Sequence, residues 1–229
     1  MIGVIGAMKV EVDNICKALT SYEIKQIAGR DFYVGNLYNL PIVVVESGIG
    51  KVNAAVTTAI MCENFDVDVI INTGVAGGVS GVKPLDLVIG KDLVYHDMDV
   101  SALGYKKGEV PHEGITFSTD EKIRNLCVDI AKENNINYKV GNIASGDLFA
   151  TKKECINGLD MQITAVEMEG AAIAHTCKMF NIPFISLRVI SDILESNEQA
   201  ISFNKVESEA ANKAVMFVCE ILKKISIDK

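Results

Sequence analysis

Two short segments of the chain carry side chains that could perform acid–base chemistry. Residues 165–170 (AVEMEG) contain Glu167 and Glu169, and residues 188–192 (RVISD) contain an arginine and Asp192; both segments end apolar runs. In an open α/β sheet, ligands bind at the carboxyl ends of the strands. Two acidic strand ends beside an arginine therefore predict a site for a small polar ligand. A structural interpretation stays open, in which the glutamates favour a helix dipole and Asp192 begins a turn.

The strands and helices that must position these side chains can be predicted from the sequence, in which short β-branched runs alternate with segments of helical periodicity. This alternation is typical of a largely parallel or mixed sheet covered by helices. No linker divides the chain, so residues 1–229 are predicted to form a single α/β domain. The expected strands cover residues 2–6, 23–27, 32–38, 42–45, 67–72, 87–94, 138–144, 163–166 and 184–190. The expected helices begin near residue 10 and cover residues 52–63, 121–133, 168–180 and 203–225.

The composition argues against several classes of partner. The net charge of −8 disfavours nucleic acid, which requires a clustered positive field. No apolar run reaches the ~18 residues that a membrane helix needs. The six cysteines form no C-x-x-C pair and so favour neither a zinc site nor a disulfide framework. Free thiols, together with the lack of a secretory leader pattern, predict a cytoplasmic protein.

Two further segments contain residue types that can bind a ligand. Residues 73–78 (TGVAGG) are expected to turn after the central strand, and they match neither the P-loop nor the G-x-G-x-x-G pattern. Nucleotide diphosphate binding therefore has little support. His96, Asp97 and Asp99 are potential metal ligands, but all three lie within one short loop. A structural role in that loop is favoured, and no metal site is predicted.

Seven motifs occur in order along the chain. They are IGAM-x-x-E (residues 5–11), SGIGKV (47–52), NTG-x-AGG (72–78), YHD-x-D (95–99), SGD-x-F (145–149), VEME (166–169) and SD (191–192). Together they resemble the bacterial 5′-methylthioadenosine/S-adenosylhomocysteine nucleosidases of the purine nucleoside phosphorylase-like superfamily. The resemblance covers residues 2–203, and the ordered set is far more specific than any one motif. It implies an α/β fold, a three-layer sandwich in which a twisted mixed β-sheet is flanked by helices.

The resemblance implies a hydrolase, without cofactor or metal, that cleaves the N-glycosidic bond between adenine and a 5′-thio-substituted ribose. Its substrates would be 5′-methylthioadenosine, S-adenosylhomocysteine and 5′-deoxyadenosine, in methionine salvage and the recycling of S-adenosylmethionine by-products. By similarity, Asp192 protonates adenine N7 with help from Ser191, because adenine leaves poorly as an anion. Glu11 orients and activates the attacking water, Arg188 contacts that water, and Glu169 holds the ribose hydroxyls.

The same resemblance assigns further residues to the substrate. They pack the ribose and adenine faces (Met168, Phe149), offer backbone hydrogen bonds to adenine (Ala150) or line the 5′-alkylthio end (Met8, Ile49, Phe203). Glu167 is assigned nearer to structure than to chemistry. The family forms homodimers in which a loop, here residues 100–111, reaches the partner's site, so Val100, Leu103 and Pro111 are expected to contribute there.

The chain departs from the family pattern at two positions that bear on the site. Val75 stands where a serine usually helps to hold the nucleophilic water. Losing that hydrogen bond is expected to slow the attack by about tenfold. Leu103 stands where an aromatic side chain is usual in the loop that completes the 5′ pocket, which leaves the substrate preference open.

Two other functions stay open beside hydrolysis. A phosphorylase would use phosphate instead of water, but residues 71–73 (INT) place no cation before the glycine-rich segment, and Glu11 would repel phosphate. A catalytically weak nucleoside-binding protein is suggested by Val75, although the four charged candidates for catalysis and ribose binding are all present. Hydrolysis is therefore the favoured activity.

Overall fold

A mixed β-sheet with helices on both faces organises the chain. The computed structural model describes residues 1–196 and 199–227, with side chains for all of these except residues 199–205. The described strands are β1 (Ile2–Gly6), β2 (Tyr22–Ile27), β3 (Arg30–Leu37), β4 (Leu40–Glu46), β5 (Val69–Gly78), β6 (Leu87–Tyr95), β7 (Phe117–Ser118), β8 (Tyr138–Ser145), β9 (Ile163–Glu167) and β10 (Phe184–Ile193). The described helices are α1 (Lys9–Ala18), α2 (Lys51–Asn64), α3 (Glu121–Glu133), α4 (Gly170–Phe180) and α5 (Gln199–Ile227).

The sheet combines parallel and antiparallel strands and partly closes on itself. Its hydrogen-bonded order is β10-β6-β8-β9-β5-β1-β4-β3-β2, and β7 pairs with β6. Because β10 also pairs in parallel with β5, the strands β5, β10, β6, β8 and β9 form a closed ring. Closure removes free sheet edges from this half of the molecule. It also makes β9 and β10 direct neighbours of β5, although both are far from β5 in sequence.

Two apolar clusters fill the spaces between the sheet and its helices. Ile15 of α1, Ile130 of α3 and Val218 of α5 belong to one cluster, so these three helices cover one face of the sheet. Met61 of α2 and Ile173 of α4 belong to the other, on the opposite face. All five of these side chains are almost completely buried. The predicted arrangement of a mixed sheet between two helical layers is confirmed.

The structure corrects two expectations in the segments that carry the candidate site. Residues 73–78 do not turn, because β5 continues through them to Gly78 while paired with β10. Asp192 does not begin a turn either, because it lies inside β10, next to a bulge in the pairing with β5. Pairing within the closed ring holds both segments extended and overrides the weak strand preference of glycine.

The described residues also bear on the terminal helix, the cysteines, membrane spans and metal ligands. The terminal helix begins at Gln199, four residues before the expected start at residue 203. All six cysteines are free. Within residues 1–196 and 199–227, no helix is both long and apolar enough to span a bilayer. Over the same residues, no group of three or more His, Cys, Asp or Glu side chains is arranged to hold a metal ion.

Candidate active site

A cleft opens where the carboxyl ends of β1, β5, β9 and β10 meet. Most of the site residues predicted from the sequence line this cleft: Met8, Glu11, Ile49, Val75, Phe149, Ala150, Glu167, Met168, Glu169, Ser191 and Asp192. Ala7, Ala76, Gly77, Leu148 and Val166 complete the lining. The acidic side chains that the sequence places far apart are therefore brought together in one site.

Asp192 owes its position to the bulge in β10. Consecutive strand residues ordinarily face opposite sides of a sheet, yet Ser191 and Asp192 both line the cleft. The register against β5 shifts between Ile190 and Asp192, and such bulges re-aim side chains. The Ser191 hydroxyl lies 2.7 Å from Asp192 Oδ1. A Cβ at Gly77 would lie 3.3 Å from Asp192 Oδ2, so the glycine gives the buried carboxyl room.

Glu11 lies in the first turn of α1, and three backbone N–H groups hold its carboxylate. Oε2 accepts hydrogen bonds from Ala7 N at 2.7 Å and Met8 N at 3.0 Å, and Oε1 accepts one from Val75 N at 3.1 Å. Burial raises the pKa of Glu11, while the charge of Arg188 and these three hydrogen bonds oppose the rise. A carboxylate with a raised pKa is a stronger base than an exposed one.

Arg188 is buried behind the cleft and does not belong to its lining. Its Nη2 donates to Asn72 Oδ1 and to Glu167 Oε2, both at 2.6 Å. A Cβ at Gly74 would lie 2.8 Å from Arg188 Nη1 and 2.6 Å from Glu11 Oε1, so both charged groups approach the same glycine. The contact between Arg188 and an attacking water stays a prediction.

Glu167 joins Arg188 to the start of α4. Its Oε2 accepts hydrogen bonds from Glu169 N at 3.1 Å and Gly170 N at 2.8 Å, and the Ser145 hydroxyl donates to Oε1. A helix leaves its first N–H groups without partners inside the helix, and its N-terminus favours negative charge. The carboxylate of Glu167 accepts hydrogen bonds from these N–H groups and supplies the negative charge. Its oxygens therefore stabilise the start of α4, although the side chain also lines the cleft.

Glu169 is a second buried carboxylate with a backbone donor. Its Oε1 accepts a hydrogen bond at 2.8 Å from the N–H of Gly50, the residue that caps α2. Burial, and then the charge of Glu167, raise the pKa of Glu169 to about 7, while Arg188 and the Gly50 hydrogen bond act in the opposite direction. Glu169 can therefore change its charge close to neutral pH.

The rest of the lining is mostly apolar. Ile49, Leu148 and Phe149 have exposed fractions of 54%, 54% and 47%, so they form an open rim around buried carboxyl groups. Ligand sites commonly combine an apolar surface with a few convergent polar groups that fix orientation. This cleft suits a ligand that has flat or apolar parts and hydroxyl groups on the same small molecule.

Besides Arg188, three predicted residues are not brought to the cleft of their own chain. Val100, Leu103 and Pro111 do not line it. Leu103 lies on a short 3₁₀ turn, Ser101–Leu103, and is 75% exposed. Their contribution to the site of a partner subunit stays a prediction. The side chain of Phe203 lies outside the described residues.

Among the residues that sequence reasoning did not assign, three hold a charged group of the site or extend its rim. Asn72 holds Arg188, Gly50 donates to Glu169, and Leu148 extends the apolar rim. Asn72 could have been found because it is the amide side chain of an apolar central strand. A buried polar group needs a hydrogen-bond partner, so such a residue indicates a polar neighbour. The Gly50 contact uses the backbone and leaves no trace in residue types.

Comparisons with known proteins agree with this geometry. The profile of the Phosphorylase superfamily matches residues 1–223. A 5′-methylthioadenosine/S-adenosylhomocysteine nucleosidase of Staphylococcus haemolyticus is 39% identical, over 97% of this chain and 99% of its own length. The crystal structure of the nucleosidase of that name from Neisseria meningitidis, in complex with methylthio-immucillin-A, has a TM-score of 0.92 and 36% identity and covers 97% of this chain and 98% of its own. The structure of futalosine hydrolase from Helicobacter pylori has a TM-score of 0.92 and 35% identity, with 97% of each chain covered. The chain therefore belongs to the phosphorylase superfamily and, within it, to the family of 5′-methylthioadenosine/S-adenosylhomocysteine nucleosidases.

Proposed function

We propose that the chain hydrolyses the N-glycosidic bond of 5′-methylthioadenosine and S-adenosylhomocysteine, releasing adenine and the 5′-thio-substituted ribose. 5′-Deoxyadenosine presents the same adenine and ribose groups and is proposed as a further substrate. Water forms the new bond to ribose C1′ while the bond from C1′ to adenine N9 breaks. No cofactor or metal takes part in this proposal.

The charge of the cleft carries the proposal of hydrolysis. Among the residues that the structure describes, the lining contributes four carboxyl groups (Glu11, Glu167, Glu169 and Asp192) and neither lysine nor arginine. Such a surface repels phosphate, the nucleophile of a phosphorylase. It accepts neutral water, and it favours the positive charge that develops on the ribosyl group in the transition state. These charges support hydrolysis over phosphorolysis.

Asp192 acts on the side of the leaving group in this proposal. In its protonated form it donates to adenine N7 as the glycosidic bond breaks, so adenine leaves as a neutral base. The hydrogen bond of 2.7 Å between the Ser191 hydroxyl and Asp192 Oδ1 supports the assignment, because it fixes the orientation of the carboxyl. Ser191 is thus proposed to position the acid.

Glu11 acts on the side of the water. Three backbone hydrogen bonds prevent its carboxylate from rotating away, and its raised pKa favours uptake of the proton that the attacking water loses. Glu169 is proposed to accept hydrogen bonds from the ribose hydroxyls, and its negative charge would stabilise the ribosyl cation. Met168 and Phe149 would pack against the ribose and adenine faces.

The oligomeric state, the compartment and the pathway are also proposals. We infer a homodimer that works in the cytoplasm, in methionine salvage and the recycling of S-adenosylmethionine by-products. The six free cysteines support a reducing compartment, and the exposed Leu103 on the loop of residues 100–111 supports a partner contact. One sheet joins all the described strands, which supports a single domain over residues 1–229.

The decisive experiment is adenine release from 5′-methylthioadenosine in phosphate-free buffer, repeated with phosphate added. We expect adenine and free methylthioribose in both buffers, at equal rates. Release that requires phosphate and yields a sugar 1-phosphate would make the protein a phosphorylase. Binding of the nucleoside without release would identify a non-catalytic binding protein.

A further inference from the structure

Three charged side chains beside the cleft take no part in the chemistry proposed above. Asp97 follows β6, Lys51 is the first residue of α2, and Asp147 follows β8. Lys51 Nζ donates to both oxygens of Asp97 at 2.6 Å and lies 3.7 Å from Asp147 Oδ2. Asp147 N donates to Asp97 Oδ2 at 2.9 Å, and Lys51 N donates to Asp147 Oδ1 at 2.8 Å. These contacts form a closed set, the ionic cluster, between three segments that are distant in sequence.

The ionic cluster is joined covalently to two parts of the cleft. Gly50 immediately precedes Lys51 and donates its N–H to Glu169 Oε1 at 2.8 Å. Asp147 precedes Leu148 and Phe149, two of the three residues of the open rim. A movement of Lys51 therefore displaces a donor to Glu169, and a movement of Asp147 displaces the rim.

Stability gives little reason for such an arrangement. The side chains of Lys51, Asp97 and Asp147 have exposed fractions of 25%, 29% and 49%, and ion pairs exposed to this degree contribute little to folding. A lysine held between two carboxylates, which are themselves bonded to backbone N–H groups, instead fixes the relative position of three segments. Lys51 Nζ also lies 5.6 Å from the centre of the Tyr95 ring, which further restricts it.

We propose that Lys51, Asp97 and Asp147 are positioning residues that hold the Gly50 N–H against Glu169 and the Phe149 rim over the cleft. None of the three lines the cleft. The inference rests on the proposed function, in which Glu169 binds the ribose.

The ionic cluster should also affect the proton affinity of Glu169. That carboxylate faces Glu167 on β9, Arg188 on β10, Glu11 on α1 and the Gly50 N–H at the start of α2. Of these groups, the Gly50 N–H alone is joined to the cluster. A hydrogen bond to the charged form of a carboxylate lowers its pKa, so losing this donor raises the pKa of Glu169.

The test compares two lysines in similar settings. Lys51→Met removes the cation of the ionic cluster. Lys25→Met is the matched control, because Lys25 also pairs with a carboxylate, Glu23 at 3.1 Å, and lies 5.8 Å from the centre of a ring, that of Phe65. For Lys51→Met we expect KM for methylthioadenosine to rise about tenfold, with a smaller change in kcat. The acid limb of the profile of kcat/KM against pH should move to higher pH, and Lys25→Met should change neither quantity.

Wild-type KM and an unmoved acid limb in a folded Lys51→Met protein would overturn the proposal. If that variant unfolds at a lower temperature than Lys25→Met, the near-isosteric Asp97→Asn and Asp147→Asn variants repeat the measurement, and an unmoved acid limb in both overturns it. The effects of Lys51→Met and Asp97→Asn should be non-additive in a double-mutant cycle, since the residues act together. Additive effects contradict a cluster.

A separate measurement distinguishes failure of this inference from failure of the proposed function. If the unaltered protein releases no adenine, hydrolysis is wrong, and calorimetry with methylthioadenosine then tests the ionic cluster through binding alone. Weaker binding by Lys51→Met than by Lys25→Met supports the positioning role. Equal affinities overturn it.

Discussion

The carboxyl groups of this cleft have different surroundings, which suit them to the different roles proposed for them. Three backbone N–H groups hold Glu11, the first amides of α4 and Arg188 hold Glu167, and one amide holds Glu169. Asp192 instead has the Ser191 hydroxyl beside it. Environments that separate the proton affinities of neighbouring carboxyl groups are how one site supplies both an acid and a base.

Replacement of Asp192 by asparagine tests the acid. Asp192→Asn keeps the shape of the side chain but has no carboxyl proton to transfer, so kcat should fall by at least about 100-fold. The dissociation constant for the nucleoside, measured by calorimetry, should change only a few-fold. Asp129→Asn, on the exposed face of α3, is the control. Near-normal turnover by Asp192→Asn would refute its role as the acid.

The pH dependence of kcat/KM tests Glu169. Its pKa, raised to about 7 by burial and by Glu167, means that the carboxylate form grows as pH rises through neutrality. Since the charged form is proposed to bind the ribose, the acid limb of kcat/KM should rise with pH through about 7. Glu169→Gln should lower kcat/KM and remove this rise. Persistence of the same acid limb in the variant would assign it to another group.

Protonation of Glu169 also affects the free energy of unfolding. This contribution falls as pH rises, whereas kcat/KM is expected to rise. The folded-state pKa of about 7 lies above the ordinary value of 4.5, so the folded protein binds this proton more tightly than the unfolded chain does. The contribution of Glu169 to stability is therefore fully present below pH 4.5 and is lost as pH rises through 7. Activity and stability thus respond to this group in opposite directions.

Val75 is one of the two positions near the site at which the sequence departs from the family pattern that it resembles. Its backbone N–H donates to Glu11 Oε1, and its side chain lines the cleft without a polar atom. Val75→Ser should supply a hydroxyl beside the base and raise kcat several-fold, a change of about 1 kcal/mol or less in the barrier. Val75→Ala controls for the loss of volume. An equal rate in the serine and alanine variants would show that other groups hold the water.

At the scale of elements, the extended glycine segment of β5 brings two charged groups together. Gly74→Ala would add a Cβ within 3 Å of both Glu11 Oε1 and Arg188 Nη1, so both groups must move. We expect kcat to fall by tenfold or more, because displacements of about 1 Å can cost ~100-fold. The free energy of unfolding of Gly74→Ala, measured beside kcat, separates a local effect on the cleft from a loss of folded protein. Unchanged kcat in Gly74→Ala would show that these positions are not critical.

Short sequence patterns predicted the elements that are stabilised by contacts between residues close together in the chain. Helix α3 has the predicted bounds, residues 121–133, because an amphipathic face coincides with an N-cap, Asp120, whose side chain accepts the Ile123 N–H. The cleft residues of β9 and β10 were found because acidic side chains ended apolar runs, whereas Met8 and Glu11 were assigned by the resemblance. The extension of β5 through its glycines was not predictable in this way, since pairing with β9 and β10 imposes it.

Contacts between distant residues account for the rest of what the sequence did not reveal. Gly50 and Glu169 are 119 residues apart, and their hydrogen bond uses a backbone donor that every non-proline residue has. The bulge that turns both Ser191 and Asp192 to the cleft is a property of the strand pair. Residue type predicted that Asp192 belongs to the site, and only the pairing explains how it reaches the cleft.

At the scale of the whole molecule, the proposed homodimer predicts sites shared between subunits. Asp192→Asn removes the acid of its own site, and Leu103→Asp, at a position that is 75% exposed, would damage the site of the partner. Mixing the two inactive variants after subunit exchange should restore about a quarter of the wild-type activity, because half of the dimers then contain one intact site. No recovery, with mixed dimers present by mass spectrometry, would show that each site is complete within one chain.

The free cysteines have a consequence for the behaviour of the protein under oxidising conditions. Burial raises the pKa of all six thiols, to about 11 for Cys16 and Cys62 and to about 12 for Cys127. The thiolate is the form that peroxide and alkylating reagents attack, and it is scarce at neutral pH when the pKa is this high. None of the six lines the described cleft. Turnover should therefore survive brief oxidative stress without a reducing agent, and slow labelling of these thiols should leave the catalytic groups untouched.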